Sequence, residues 1–104
     1  KIMVCSKISN RKPTNCTGTY SLSEVGKIYT WMKVSEVDPP KVIKHVYYWE
    51  GTAIATVKLK LKYASMRTWS QKTFNPLRAV GKWKVVVMTE ENDVITMKKF
   101  TVIR

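Results

Sequence analysis

The chain has 104 residues, 44% apolar and 11% aromatic, with 19 Lys and Arg against 7 Asp and Glu, for a formal net charge of +12. That length allows one hydrophobic core and one domain over residues 1–104, the composition argues against disorder, and no apolar run approaches the roughly 20 residues of a membrane helix. The charge favours polyanionic partners, whether nucleic acid, acidic lipid or acidic polysaccharide, without choosing among them.

Taken in order, residues 1–10 read as an opening strand through Ile2, Val4, Cys5 and Ile8, which Pro13 is expected to break because proline lacks an amide donor. A start without Met or a signal-type apolar run suggests a mature or excised segment of a longer precursor. Cys5 and Cys16 are the only cysteines. A disulfide between them fits an oxidising compartment, and two buried free thiols fit equally well; no second cysteine pair or histidine cluster supplies a structural zinc site. Residues 16–21 form a short extended stretch. After a turn at residues 23–26, residues 27–35 alternate Ile28, Thr30, Met32 and Val34 against Lys27, Tyr29, Trp31 and Lys33, which puts Trp31 or Tyr29 on a semi-exposed surface.

The loop at 36–40 leads into the most informative segment. Residues 41–50 are rich in branched and aromatic side chains, Glu50-Gly51 supplies a reversal, and residues 52–62 alternate. Ala53, Ala55, Val57, Leu59 and Leu61 are expected inward, with Lys58, Lys60 and Lys62 in water. Residues 65–74 have two competing faces, neither uniformly apolar, as expected of an edge strand or of a strand whose outer face is a site. Asn75-Pro76 ends that strand. Residues 82–89 alternate Trp83, Val85 and Val87 against Lys84, Val86 and Met88. A polar loop at 90–93 precedes a closing strand over 94–104.

About seven mainly antiparallel strands, with no helical period between them, predict an all-β fold. An immunoglobulin-like β-sandwich is expected, with a small β-barrel as the alternative.

The chain also resembles a family of small bacterial domains catalogued as domain of unknown function 2914 (DUF2914). The resemblance rests on Cys5, Arg11 with Pro13, residues 25–31, residues 43–49 with Gly51, residues 67–73, residues 81–85 and the closing Phe100-Thr101-Val102. Met66 stands where the family usually has tryptophan. The resemblance implies a β-rich accessory domain without established chemistry, attached to longer envelope or membrane-associated proteins, and hence a cell-envelope or periplasmic location.

Two groups of candidate binding residues emerge from strand parity. His45, Tyr47 and Trp49 share one side of a strand, and Arg67, Trp69 and Gln71, with Lys72, are available from an expected neighbour; rings can stack on a base or a sugar, and the cations can meet an anion. Lys58, Lys60 and Lys62, with Lys82 and Lys84, form basic rows that can track a phosphate backbone. Structural roles compete for the same residues: aromatics that close a core, and lysines on a solvated face. Catalysis is not expected, because His45 is the only histidine, Glu50 falls on the opposite strand face, and Ser70 lacks a sequence-defined base. The expected function is a non-catalytic interaction domain, without metal or cofactor, whose partner is an acidic or carbohydrate polymer or a protein; nonspecific single-stranded nucleic-acid binding is the alternative, and an enzyme activity the third.

Overall fold

A computed structural model of the chain describes residues 2–38 and 40–104. Lys1 and Pro39, expected in the first strand and in the loop before residue 41, lie outside the described residues. The strands are β1 (Ile2–Ser9), β2 (Lys12–Cys16), β3 (Thr19–Ser21), β4 (Lys27–Val34), β5 (Lys41–Trp49), β6 (Thr52–Leu61), β7 (Met66–Thr73), β8 (Gly81–Thr89) and β9 (Val94–Ile103). One 3-10 turn, Pro76–Arg78, comes after β7, and the Asn75 side chain caps it by accepting from the Leu77 amide.

The strands form two sheets, in the orders β2-β1-β4-β7 and β3-β9-β8-β5-β6. The pairings are antiparallel except for β3 with β9, which is parallel. The fold is an all-β sandwich with no closed barrel, and it holds nine strands among the described residues rather than about seven. The two additional strands, β2 and β3, are short edge strands on either side of Gly18.

Pro13 does not end the first hairpin. It sits in β2, at the edge of its sheet, where a missing amide donor breaks no ladder between two neighbours. The reversal is made instead by Asn10 and Arg11, both at positive φ, which join Ser9 to Lys12 in a two-residue turn. Glu50 and Gly51 do the same between β5 and β6, as the sequence predicts. Cys5 and Cys16 face each other across β1 and β2 and form a disulfide, with their Cα atoms 4.0 Å apart.

Alternation along β6 holds for its second half. Leu61 is buried, Val57 and Leu59 are half-buried, and Lys58 and Lys60 are exposed. The first half departs from it: Ala53 is exposed and Ile54 packs on the core, because the register shifts between Tyr47 and Tyr48 and leaves Ile54 as an extra residue on β6. A bulge of this kind reverses the strand's parity from one side of the extra residue to the other.

The main core brings Val4 and Ile28 from the four-stranded sheet against Tyr47, Trp83, Val85, Phe100 and Val102 from the five-stranded sheet. Aromatic rings run through it. Tyr20 meets Phe100 edge-on at 6.1 Å between centroids, Phe100 stacks on Trp83 at 5.7 Å, and Trp83 lies tilted against Phe74 at 5.5 Å. Their polar tips are satisfied locally, Tyr20 donating to the Val4 carbonyl and Trp83 to that of Ala79.

A second, polar element crosses between the sheets. Thr30 of β4 and Ser70 of β7 are register partners in one sheet, and His45 and Tyr47 of β5 meet them from the other. Thr30 Oγ1 lies 2.8 Å from the Tyr47 hydroxyl, that hydroxyl 2.6 Å from Ser70 Oγ, Ser70 Oγ 2.6 Å from His45 Nδ1, and His45 Nε2 3.2 Å from Met32 Sδ. A thioether carries no proton, so Nε2 is the donor there and Nδ1 of the neutral ring accepts from Ser70. The chain of donors then runs one way: Thr30 to Tyr47 to Ser70 to His45 to Met32.

Burial holds the His45 imidazole neutral, with its pKa lowered from 6.5 to about 4. An unfolded chain therefore binds a proton between these values that the native chain refuses. Native stability is full above about pH 6.5, falls as pH drops towards about 4, and levels off for this group below it; the loss by pH 5 is roughly 2 kcal/mol. His45 is the only histidine, and carboxylates titrate mostly below pH 5, so urea unfolding between pH 7.5 and pH 5 isolates the effect. Equal stability at the two pH values contradicts the buried neutral assignment.

Candidate functional site

Strand parity fixes which residues lie on the outer face of the four-stranded sheet. Because Thr30 and Ser70 point inward, their neighbours Trp31 and Trp69, also register partners, point outward. Tyr29 pairs with Gln71 on the same face, and Lys33 with Arg67. Trp31 is nearly covered and donates its ring N–H to the Arg11 carbonyl at 3.1 Å, which ties the β1–β2 turn down onto this face. From that turn the Arg11 guanidinium reaches the Trp69 ring at 5.9 Å from its centroid, and Lys27 Nζ stands 5.6 Å from the Tyr29 centroid. Tyr29 and Trp69 themselves remain half-exposed.

Two shallow grooves lie on this side of the sandwich. One, of about 440 Å³, is lined by Met3, Lys12, Pro13, Trp31, Lys33 and Arg67; the other, of about 290 Å³, by Arg11, Lys33, Ser65, Met66 and Arg67. They share Lys33 and Arg67, so one cationic trough runs beside Trp31, with Trp69 next to Arg67 along β7. A larger cleft of about 510 Å³ opens at one end of the sandwich, between Ile2, Met32, Ile43 and Leu61, with Lys33, Lys41, Glu36 and Asp38 giving its rim both signs of charge.

The two triplets expected to meet do not. His45 and Tyr47 are buried at 0% exposure on the inner face of β5, and Trp49 is half-buried with its ring N–H donating to the Val80 carbonyl at 3.1 Å. Arg67, Trp69 and Gln71 belong to the opposite sheet and face away from them. Lys72 falls on the other side of β7 from those three, beside Ile28, and donates to the Thr73 carbonyl at 2.8 Å. The outer face instead gains Arg11, Tyr29, Trp31 and Lys33. A signal for them existed, since residues 27–33 and 67–73 both alternate large or cationic side chains, but nothing in the sequence says that these two segments pair.

The basic rows are better preserved. Lys58 and Lys60 of β6 and Lys82 and Lys84 of β8 share the outer face of the five-stranded sheet, separated by β5, whereas Lys62 lies beyond the end of β6. Each charged residue in the strands, among the described residues, is Lys or Arg, and the seven acids lie in loops and turns. Three like-charged pairs stand directly across from one another: Lys33 with Arg67, Lys44 with Lys58, and Lys84 with Lys99. Such juxtaposition is destabilising in itself. Substituting Lys99→Glu to face Lys84 is expected to raise stability by roughly 0.2–1 kcal/mol, seen as a higher urea midpoint at low salt. A lowered midpoint would show that the pair is not under repulsion.

No curated protein matches the chain. The family described as "Protein of unknown function (DUF2914)" matches residues 40–102, from the start of β5 almost to the end of β9. The match leaves out Cys5, Arg11 with Pro13, and residues 25–31, so the resemblance is narrower than the nearly full span expected from the sequence. It still covers more than half of the chain, and the protein belongs to the DUF2914 family.

Proposed function

We propose that this chain is a non-catalytic interaction domain of immunoglobulin-like connectivity whose outer four-stranded face binds an acidic carbohydrate polymer of the cell envelope. The observation that carries the reading is the half-exposed Trp69 beside Arg11, sharing a face with Tyr29, Lys33 and Arg67 on strands without a single acid. Flat rings suit the apolar faces of sugars, and guanidinium and ammonium groups suit their carboxylates or phosphates. The lysine–arginine repulsion across β4 and β7 is relieved when an anion enters the trough.

Strand order supports the immunoglobulin-like part. β1 joins one sheet while β3 lies parallel to the last strand in the other; β4 pairs with β7, and β9, β8, β5 and β6 succeed one another across the second sheet. The Cys5–Cys16 disulfide supports an oxidising, extracytoplasmic setting. Ser70 does lie 2.6 Å from His45, yet it is 4% exposed and the chain beyond His45 ends on the Met32 sulfur rather than a carboxylate, which supports a structural role for the pair.

Titration calorimetry tests the reading with an acidic polysaccharide, a neutral one and a single-stranded oligonucleotide, each at two salt concentrations. Trp69→Ala is expected to weaken binding to the acidic polysaccharide about tenfold and to cost less than about 1 kcal/mol of stability. Binding to every polyanion alike, abolished by moderate salt and indifferent to Trp69, would leave only general electrostatics. Preference for the oligonucleotide would replace the carbohydrate reading with nucleic-acid binding.

A further inference from the structure

We infer that the outer face of the five-stranded sheet docks on an anionic phospholipid bilayer. This face lies on the opposite side of the sandwich from the trough and differs from it in chemistry. Lys44, Lys58, Lys60, Lys82, Lys84 and Lys99 surround Met88 and Met97, with Val46 and Val86 on the same face but covered, and Tyr48 is the aromatic residue in their midst. Met97 is 40% exposed and Met88 half-buried.

Three features choose the occupant. Lysine ammonium groups on flexible stems reach anionic headgroups while their methylenes lie along apolar surface, and aliphatic side chains suit the headgroup–acyl boundary better than a sugar face. Two of the like-charged pairs, Lys44 with Lys58 and Lys84 with Lys99, stand here, and a second copy of this chain would bring the same cations together rather than neutralise them. The sandwich is also a slab, 41 × 30 × 17 Å, whose broad side suits a planar partner.

Acids stand in the turns at both ends of this face and so bound the contact. Glu90, Glu91 and Asp93 occupy the β8–β9 turn at one end of this face, next to Asn92, which accepts from Lys44. Lys82, Lys84 and Lys99 lie towards the other end, where Glu50 of the β5–β6 turn faces Lys82 and donates its amide to the Lys82 carbonyl, and Lys84 Nζ stands 4.6 Å from the Tyr48 ring centroid. Lys84 and Lys99, a facing pair set inward of both turns, are the core of the docking surface, with Lys82 at its edge.

Vesicle flotation with the whole chain tests this, using phosphatidylcholine alone and phosphatidylcholine mixed with phosphatidylglycerol. The chain is expected to float with the mixed vesicles, not with the neutral ones, and to be released by salt. Replacing Lys82, Lys84 and Lys99 together by glutamine is expected to weaken the association about 100-fold, while Lys33→Gln with Arg67→Gln on the opposite face leaves it within about twofold. The triple variant removes one repulsive pair and one ammonium–ring contact of similar size, so its unfolding midpoint is expected close to that of the unaltered chain. Equal flotation with neutral vesicles, unchanged affinity in the triple variant, or equal loss in the opposite-face variant would overturn the assignment. These outcomes are separate from polysaccharide binding, which reads the other face through Trp69.

Discussion

The buried chain from Thr30 through Tyr47, Ser70 and His45 to Met32 is the constraint on which the rest of the structure depends. Two sheets that meet through apolar surface alone can slide and repack with little change in buried area. A line of hydrogen bonds with one donor and one acceptor at each step does not tolerate such sliding, because a displaced hydroxyl or imidazole becomes a buried polar group without a partner. The direction of donation adds a second restriction. It fixes the tautomer, with the proton of the neutral ring on Nε2 facing Met32, while burial is what holds the imidazole neutral.

This polar line also organises the surfaces. Thr30 and Ser70 are partners in the β4–β7 register, and side chains in a strand alternate, so holding these two inward holds Trp31 and Trp69 outward as the adjacent pair. A slip of one residue would bury the tryptophans and expose the hydroxyls. The same logic on β5 turns His45 and Tyr47 inward and Lys44, Val46 and Tyr48 outward. Core and candidate surfaces are thus two sides of one registration. With the acids confined to turns, each outer face becomes cationic, one of them dressed with rings and the other with aliphatic groups.

Much of this is legible from residues alone. The Glu50-Gly51 reversal, the alternation of Trp83, Val85 and Val87, and the wet lysines of β6 are set by local chemistry and stand where expected. The departures have a common physical origin. Period two says that His45 and Tyr47 share a face but not whether that face is dry, and a histidine or tyrosine is at home in either place when its polar atoms have partners. The partners Thr30, Met32 and Ser70 come from strands 13 to 25 residues away, so no local pattern announces them. Pro13 departs from expectation because the edge position that excuses it is a property of the sheet. The pairing of β4 with β7 is likewise invisible in the sequence, and with it the meeting of Tyr29, Trp31 and Lys33 with Gln71, Trp69 and Arg67.

A double-mutant cycle in urea unfolding reaches the central claim most directly, with Tyr47→Phe and Ser70→Ala made singly and together. The two hydroxyls belong to one directed chain, so each single change should be destabilising and the pair should cost less than the two added, with a coupling of about 1 kcal/mol or more. Strict additivity, within about 0.3 kcal/mol, would mean that the sheets are held by apolar packing alone and that the polar chain does not set their registration.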